Sequence, residues 1–160
     1  MNQIFKTVFL IYFITHIPIS ISLDFQALFG DFYSQRFKDI NTYYVKTYND
    51  PLMATTPIWF KSFVACEVIF QLPFFFIASY ALLYEQKWIR IPMIIYGTHV
   101  STTLIPILAE FLFSKTNTIT EKAILFSFYL PYFIIPLLLV IVFGVYENPY
   151  EKRVDRKKAN

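Results

Sequence analysis

The sequence predicts an all-α polytopic membrane protein: a four-transmembrane-helix bundle with kinked helices and a lumenal aromatic cap. Three observations carry that expectation. Of 160 residues, 56% are hydrophobic, 21% aromatic and only 16% charged, too apolar for a soluble domain of this size. Four stretches, 4–23, 59–83, 91–113 and 123–145, have the roughly 20 mostly apolar residues that a helix needs to cross the hydrocarbon. Each also holds an interior proline: Pro18, Pro73, Pro106, and the pair Pro131 and Pro136. No Gly/Ser linker, low-complexity tract or internal repeat separates the stretches, so 1–160 reads as a single domain with a tail at 146–160.

In the first span, Lys6, the apolar run behind it and the small residues Ser20 and Ser22 also fit a cleavable signal peptide. The run is long for a signal core and is interrupted by His16 and Pro18, which favours a retained helix. In the second span, Cys66 is the only cysteine, which excludes an intrachain disulfide; a thiol in an apolar run is expected in the core. Basic residues are dispersed outside the C-terminus, so the net charge of +3 forms no phosphate-binding patch and nucleic acid is not expected.

Orientation follows from lysine and arginine placement. Lys87 and Arg90 mark the second connection, and Lys152, Arg153, Arg156, Lys157 and Lys158 the tail, so these faces and both termini are expected in the cytosol. Segment 24–58 and loop 115–122 are then lumenal, with Trp59, Tyr84 and Trp88 as interface anchors. Lys157 and Lys158 stand fourth and third from the carboxyl end, the spacing of a dilysine retrieval signal for the endoplasmic reticulum. An ordinary basic tail on anionic lipid is the alternative.

Polar residues inside the spans narrow the function. Glu67 lies about 12 Å beyond Trp59 along a helix, with Gln71 one turn later on the same face. A charge at the bilayer centre costs about 2.5 to 3.5 kcal/mol even on lenient scales, so this pair should face the bundle interior. Packing glue, with Glu67 bonded to Gln71 or to a neighbouring helix, is the alternative. His99, with Ser101, Thr102 and Thr103, reads as an interhelical donor, and no second histidine lies at metal-site spacing, so no metal or cofactor is assigned. The prolines free backbone carbonyls, which suggests a mid-membrane chamber; tolerated kinks packed against neighbouring helices are the alternative. The aromatic segment 24–58, with Tyr43, Tyr44 and Tyr48, is expected as short helices over its mouth. Asp50-Pro51 within it also reads as simple turn chemistry.

A long collinear set of motifs resembles the EXPERA group, the family of the emopamil-binding sterol isomerase and of sigma-2-type receptors. It comprises His16-Ile17-Pro18-Ile19, Asp24-Phe25-Gln26-Ala27, Asp50-Pro51-Leu52, Trp59-Phe60-Lys61-Ser62-Phe63, Cys66-Glu67, Phe70-Gln71-Leu72-Pro73, Lys87-Trp88-Ile89-Arg90, Thr102-Thr103-Leu104-Ile105-Pro106 and Tyr129 with Pro131-Tyr132. The receptor branch implies a non-enzymatic, homodimeric endoplasmic-reticulum protein. It would bind cholesterol, oxysterols and cationic amphiphilic small molecules and modulate cholesterol homeostasis with the lysosomal Niemann–Pick type C cholesterol exporter. Lysosome, plasma membrane and nuclear envelope are further implied locations.

The resemblance also implies roles for individual residues. Asp24 would pair with a ligand amine and Asp50 would support it. Glu67, Gln71, Tyr44, Thr103, Tyr129 and Tyr132 match further pocket positions. Met53 and Phe128 stand in for other apolar pocket residues, Glu110 replaces a small neutral residue, and the loop before the fourth span is shorter than in relatives. The isomerase relatives move protons with carboxylates and a histidine. Phe63, one turn before Glu67, stands where the isomerase has that histidine, so the resemblance implies an incomplete acid/base pair and an isomerase-like enzyme is the runner-up. A trafficking adaptor without an obligatory ligand is the third reading.

Overall fold

The computed structural model describes residues 1–146 and 149–150; Lys157 and Lys158 lie outside the described residues. The described residues are mostly helical, with short connections and no strand among them. The first span joins α1 (Gln3–Ile19), a π turn (Ser20–Asp24), α2 (Gln26–Phe29) and a 3-10 turn (Gly30–Phe32). Two short helices follow, α3 (Gln35–Tyr48) and α4 (Pro51–Thr55). The second span joins α5 (Ile58–Cys66), a π turn (Glu67–Gln71) and α6 (Leu72–Leu83). A 3-10 turn (Lys87–Ile89) leads into α7 (Arg90–Phe113), and α8 (Ile119–Val145) completes the bundle.

Four helical runs are long and apolar enough to cross a membrane: Gln3–Phe32, Ile58–Leu83, Lys87–Phe113 and Ile119–Val145. The protein is a multi-pass membrane protein built as a four-helix bundle. The first run extends to Phe32 instead of closing at Leu23, because buried Phe25 and Ala27 pack there against the second span. Asp24 therefore sits within the helical run and not where the chain emerges from it. Cys66 is half-buried at the end of α5 and falls outside the core expected for it.

Local signals set the helix starts. Asp50 caps α4 through Leu52 N (2.9 Å) and Met53 N (3.1 Å), with Pro51 in the first helical position, where a missing N–H costs nothing. Thr118 and Glu121 form a capping box at α8: the Thr118 N–H donates to Glu121 Oε2 at 2.7 Å and the Glu121 N–H to Thr118 Oγ1 at 3.3 Å.

Polar contacts lock the two ends of the bundle. At one end, Lys6 pairs with Glu85 at 2.6 Å. Arg90 Nε donates to the carbonyls of Phe143 (2.9 Å) and Tyr146 (3.0 Å), and its Nη2 to Gly144 O (3.2 Å), satisfying the open C-terminal carbonyls of α8. At the other end, Asn117 Nδ2 donates to Asn49 O at 2.7 Å, tying the α7–α8 connection to the α3–α4 turn. Trp59 lies near the start of the second span, with exposed Tyr84 and Trp88 at its other end, positions suited to interface anchors.

In lipid, helices associate through close packing and not through expulsion of water, so small residues matter at contacts. Gly97 of α7 is the sharpest case. A Cβ there would stand 2.6 Å from the Pro136 carbonyl oxygen and 2.8 Å from Val140 Cγ2 of α8. Gly97→Ala should therefore destabilise the bundle by about 1 to 3 kcal/mol, whereas Gly144→Ala, whose Cβ meets nothing within 4 Å, should not. Thermal unfolding of the two variants in the same detergent checks this; equal melting temperatures would contradict it.

Candidate functional site

Between the four spans and the α3–α4 cap lies one cavity of about 320 Å³. The first span contributes His16, Ile19, Leu23 and Asp24, and the cap contributes Tyr44 and Met53. From the second span come Phe60, Phe63, Val64, Glu67 and Gln71. The α7 wall is Val100, Thr103, Leu104 and Ile107, and the α8 wall is Phe128, Tyr129 and Tyr132. No lysine or arginine lines it.

Both carboxylates on this wall stand in π turns, Asp24 in Ser20–Asp24 and Glu67 in Glu67–Gln71. Phe25 N bonds back five residues to Ser20 O at 3.0 Å, the mark of the wider turn. Pro18 lies just before the first such turn and Pro73 just after the second, where the regular ladder is already interrupted. An inserted residue rotates the side chains around it, and this brings Asp24 and Glu67 to the same space from two helices.

Glu67 Oε1 accepts a short hydrogen bond from Ser20 Oγ and lies 3.8 Å from His16 Nε2. Its partner is thus on a neighbouring helix, the packing contact weighed from the sequence, while its face still opens on the cavity. One donor atom each of His16, Asp24 and Glu67 lies within 4.8 Å of the other two. Aromatic rings fix the imidazole: Phe75 stacks on it at 4.7 Å, Tyr132 lies at 4.5 Å and Tyr12 meets it edge-on at 5.2 Å.

Of the residues singled out in the sequence, Asp24, Glu67, Gln71, Tyr44, Met53, Thr103, Tyr129 and Tyr132 line the cavity. Asp50 does not. It is fully buried behind the wall, where Oδ1 caps α4 and Oδ2 accepts from Tyr44 Oη (2.9 Å) and Tyr129 Oη (3.1 Å). Four hydrogen bonds occupy this carboxylate, so it fastens the cap to α8 and orients two tyrosines. Burial, with the adjacent Asp50 carboxylate, raises the Tyr44 phenol above its ordinary range, so it stays a proton donor.

His99 is not the interhelical donor its position suggested: its Nε2 is buried with no hydrogen-bond partner among the described residues. Thr102 and Thr103 bond carbonyls of their own helix, Thr98 O (2.8 Å) and Val100 O (2.9 Å), because a hydroxyl reaches the preceding turn more easily than another helix. Glu110 is exposed near the end of α7, away from the cavity wall. His16 was missed as a site residue. The rule that flagged Glu67, an ionisable group inside a span, applies equally to it.

Residues 36–143 match the model of the EXPERA (expanded EBP) superfamily. The chain is 43% identical to "Sigma intracellular receptor 2" of Homo sapiens, over 92% of this chain and 90% of the relative. It is 39% identical to the Xenopus tropicalis protein of the same name, over 98% and 96%. "Efficient mitochondria targeting-associated protein 19" of Schizosaccharomyces pombe is 30% identical over 86% of this chain and 74% of its own.

Removing the Asp50 carboxylate deletes a helix cap and leaves two tyrosine hydroxyls unpaired. Asp50→Ala should cost about 3 kcal/mol, and Tyr129→Phe about half that. Unfolding of the ligand-free protein measures both; an unchanged Asp50→Ala melting temperature would remove the latch.

Proposed function

The chain belongs to the EXPERA family, and on that footing we propose that it is an intracellular receptor of the sigma-2 type, binding sterols, oxysterols and cationic amphiphiles within the membrane. One observation carries the reading: a cavity with mainly apolar and aromatic walls contains two carboxylates and no lysine or arginine. Its size is near the lower end of small-molecule sites. The walls accept the apolar body of an amphiphile, and Asp24, assisted by Glu67, holds its ammonium. In a water-poor site an unpaired carboxylate is costly, so a cationic ligand is favoured over an isosteric neutral one. A sterol uses the same walls and meets the polar groups through its hydroxyl.

A groove between α1 and α8, lined in part by Val8, Ile11 and Ile135, shares Phe128 and Tyr132 with the cavity. It offers a route from the bilayer past two side chains. The same proposal includes residence in the endoplasmic-reticulum membrane with cytosolic termini, homodimer formation, and modulation of cholesterol homeostasis and trafficking with the lysosomal Niemann–Pick type C exporter. The names of the human and frog relatives support the receptor part alone.

The enzyme reading gains one point from the geometry: His16 of another helix stands 3.8 Å from Glu67 and supplies a histidine where Phe63 cannot. That distance is longer than a hydrogen bond, and the two groups share no direct proton path, so binding without catalysis is preferred. Expression in sterol-isomerase-deficient cells separates the readings, and rescue would reverse the order.

Asp24→Asn should weaken amine binding by about 100-fold or more while leaving binding of a neutral sterol photoprobe largely intact. Saturation binding of a radiolabelled amine and photocrosslinking of the sterol to the purified protein measure the two. Undiminished amine affinity would remove the ion pair.

A further inference from the structure

The receptor reading leaves one buried titratable group in the cavity without a role. His16 is 7% exposed, and its ring is held by Phe75, Tyr12 and Tyr132. Its Nε2 faces Glu67 Oε1 at 3.8 Å, and its Nδ1 is buried without a hydrogen-bond partner among the described residues. We infer that His16, Asp24 and Glu67 form a site for a divalent transition-metal ion of the zinc class, with its remaining coordination position open to the cavity. The inference shares two carboxylates with the receptor reading but rests on His16, which an ammonium does not require.

Charge is the first argument. No lysine or arginine lines the cavity. An ammonium offsets one of the two carboxylates, whereas a divalent ion offsets both and leaves the buried cluster neutral. Donor chemistry is the second. Carboxylates alone suit magnesium or calcium; an imidazole joined to two carboxylates suits zinc and its neighbours, and three protein ligands with one open position is a familiar zinc arrangement.

Geometry is the third argument. Ligand atoms about 2.0 to 2.1 Å from a tetrahedral zinc stand roughly 3.3 Å apart. The His16–Glu67 separation of 3.8 Å is close to that edge, and all three donor atoms already lie within 4.8 Å of one another, so an ion would have to draw them at most about 1.5 Å closer. Ser20 Oγ, donating to Glu67 Oε1, acts as the outer-shell group that orients a ligating carboxylate. The stacked rings hold His16 in place before any ion arrives.

The test uses the full chain purified in detergent, stripped of metal and with no amine present. Zinc is titrated in competition with a fluorescent chelator. The expected result is one ion per chain with micromolar or tighter affinity. His16→Gln should weaken it by about 100-fold or more, since even outer-shell partners are worth 10- to 100-fold. Cys66→Ser and His99→Gln, which remove donors that do not line the cavity, should leave it unchanged.

Cobalt added to the unmutated chain should give the visible ligand-field bands of a low-symmetry site, a readout that needs no variant to fold. Zinc affinity indifferent to His16→Gln, or no micromolar binding in the unmutated chain, overturns the inference. Loss of amine binding in metal-free protein alongside intact zinc binding would sink the receptor reading and leave the metal site standing.

Discussion

Two carboxylates facing a cavity that no lysine or arginine lines are the constraint around which this bundle is organised. Inside a membrane such groups cannot be left to water, and every solution available to the chain is visible around them. Ser20 donates to Glu67, His16 approaches the same oxygen, and aromatic rings hold that histidine in place. These contacts orient the Glu67 carboxylate, and no lysine or arginine on the wall offsets it or Asp24. What remains is a site suited to a cation, with apolar walls that favour one carried on a hydrophobic body.

The third acidic residue of the region shows the opposite solution. Asp50 is wholly buried, yet both of its oxygens are occupied, two bonds to backbone N–H groups of α4 and two to tyrosine hydroxyls. It has no capacity left for a ligand. The same carboxylate thereby fixes the floor of the cap and the two phenols that look into the cavity, so a change at Asp50 disturbs the site at one remove. Turn chemistry and support of the cavity wall are the same set of bonds.

The two π turns connect the sequence to this arrangement. A regular helix through Ser20–Asp24 or Glu67–Gln71 would present the carboxylates at other angles, and the neighbouring prolines already leave the backbone ladder open there. The close α7–α8 seam at Gly97 does complementary work on the far wall, where tight packing holds Thr103 and Tyr132 against the space that the first two spans leave open.

The sequence alone determined the spans, because about 20 consecutive apolar residues have no other stable home than lipid, and it determined that Glu67 needed an explanation, because ionisable groups in such runs are rare; Asp24, read as lying just past the first span, drew notice only through the family resemblance. It could not show that Asp50 turns away from the cavity, that the hydroxyls of α7 bond their own backbone, or that the first span runs on to Phe32. Those outcomes depend on which neighbour reaches a polar atom first, a question of three-dimensional distance. His16 is the clearest instance. Histidine spacing along the chain offered no metal set, since His16 and Glu67 are far apart in sequence and on different helices; only the packing of the first span against the second brings them within 3.8 Å.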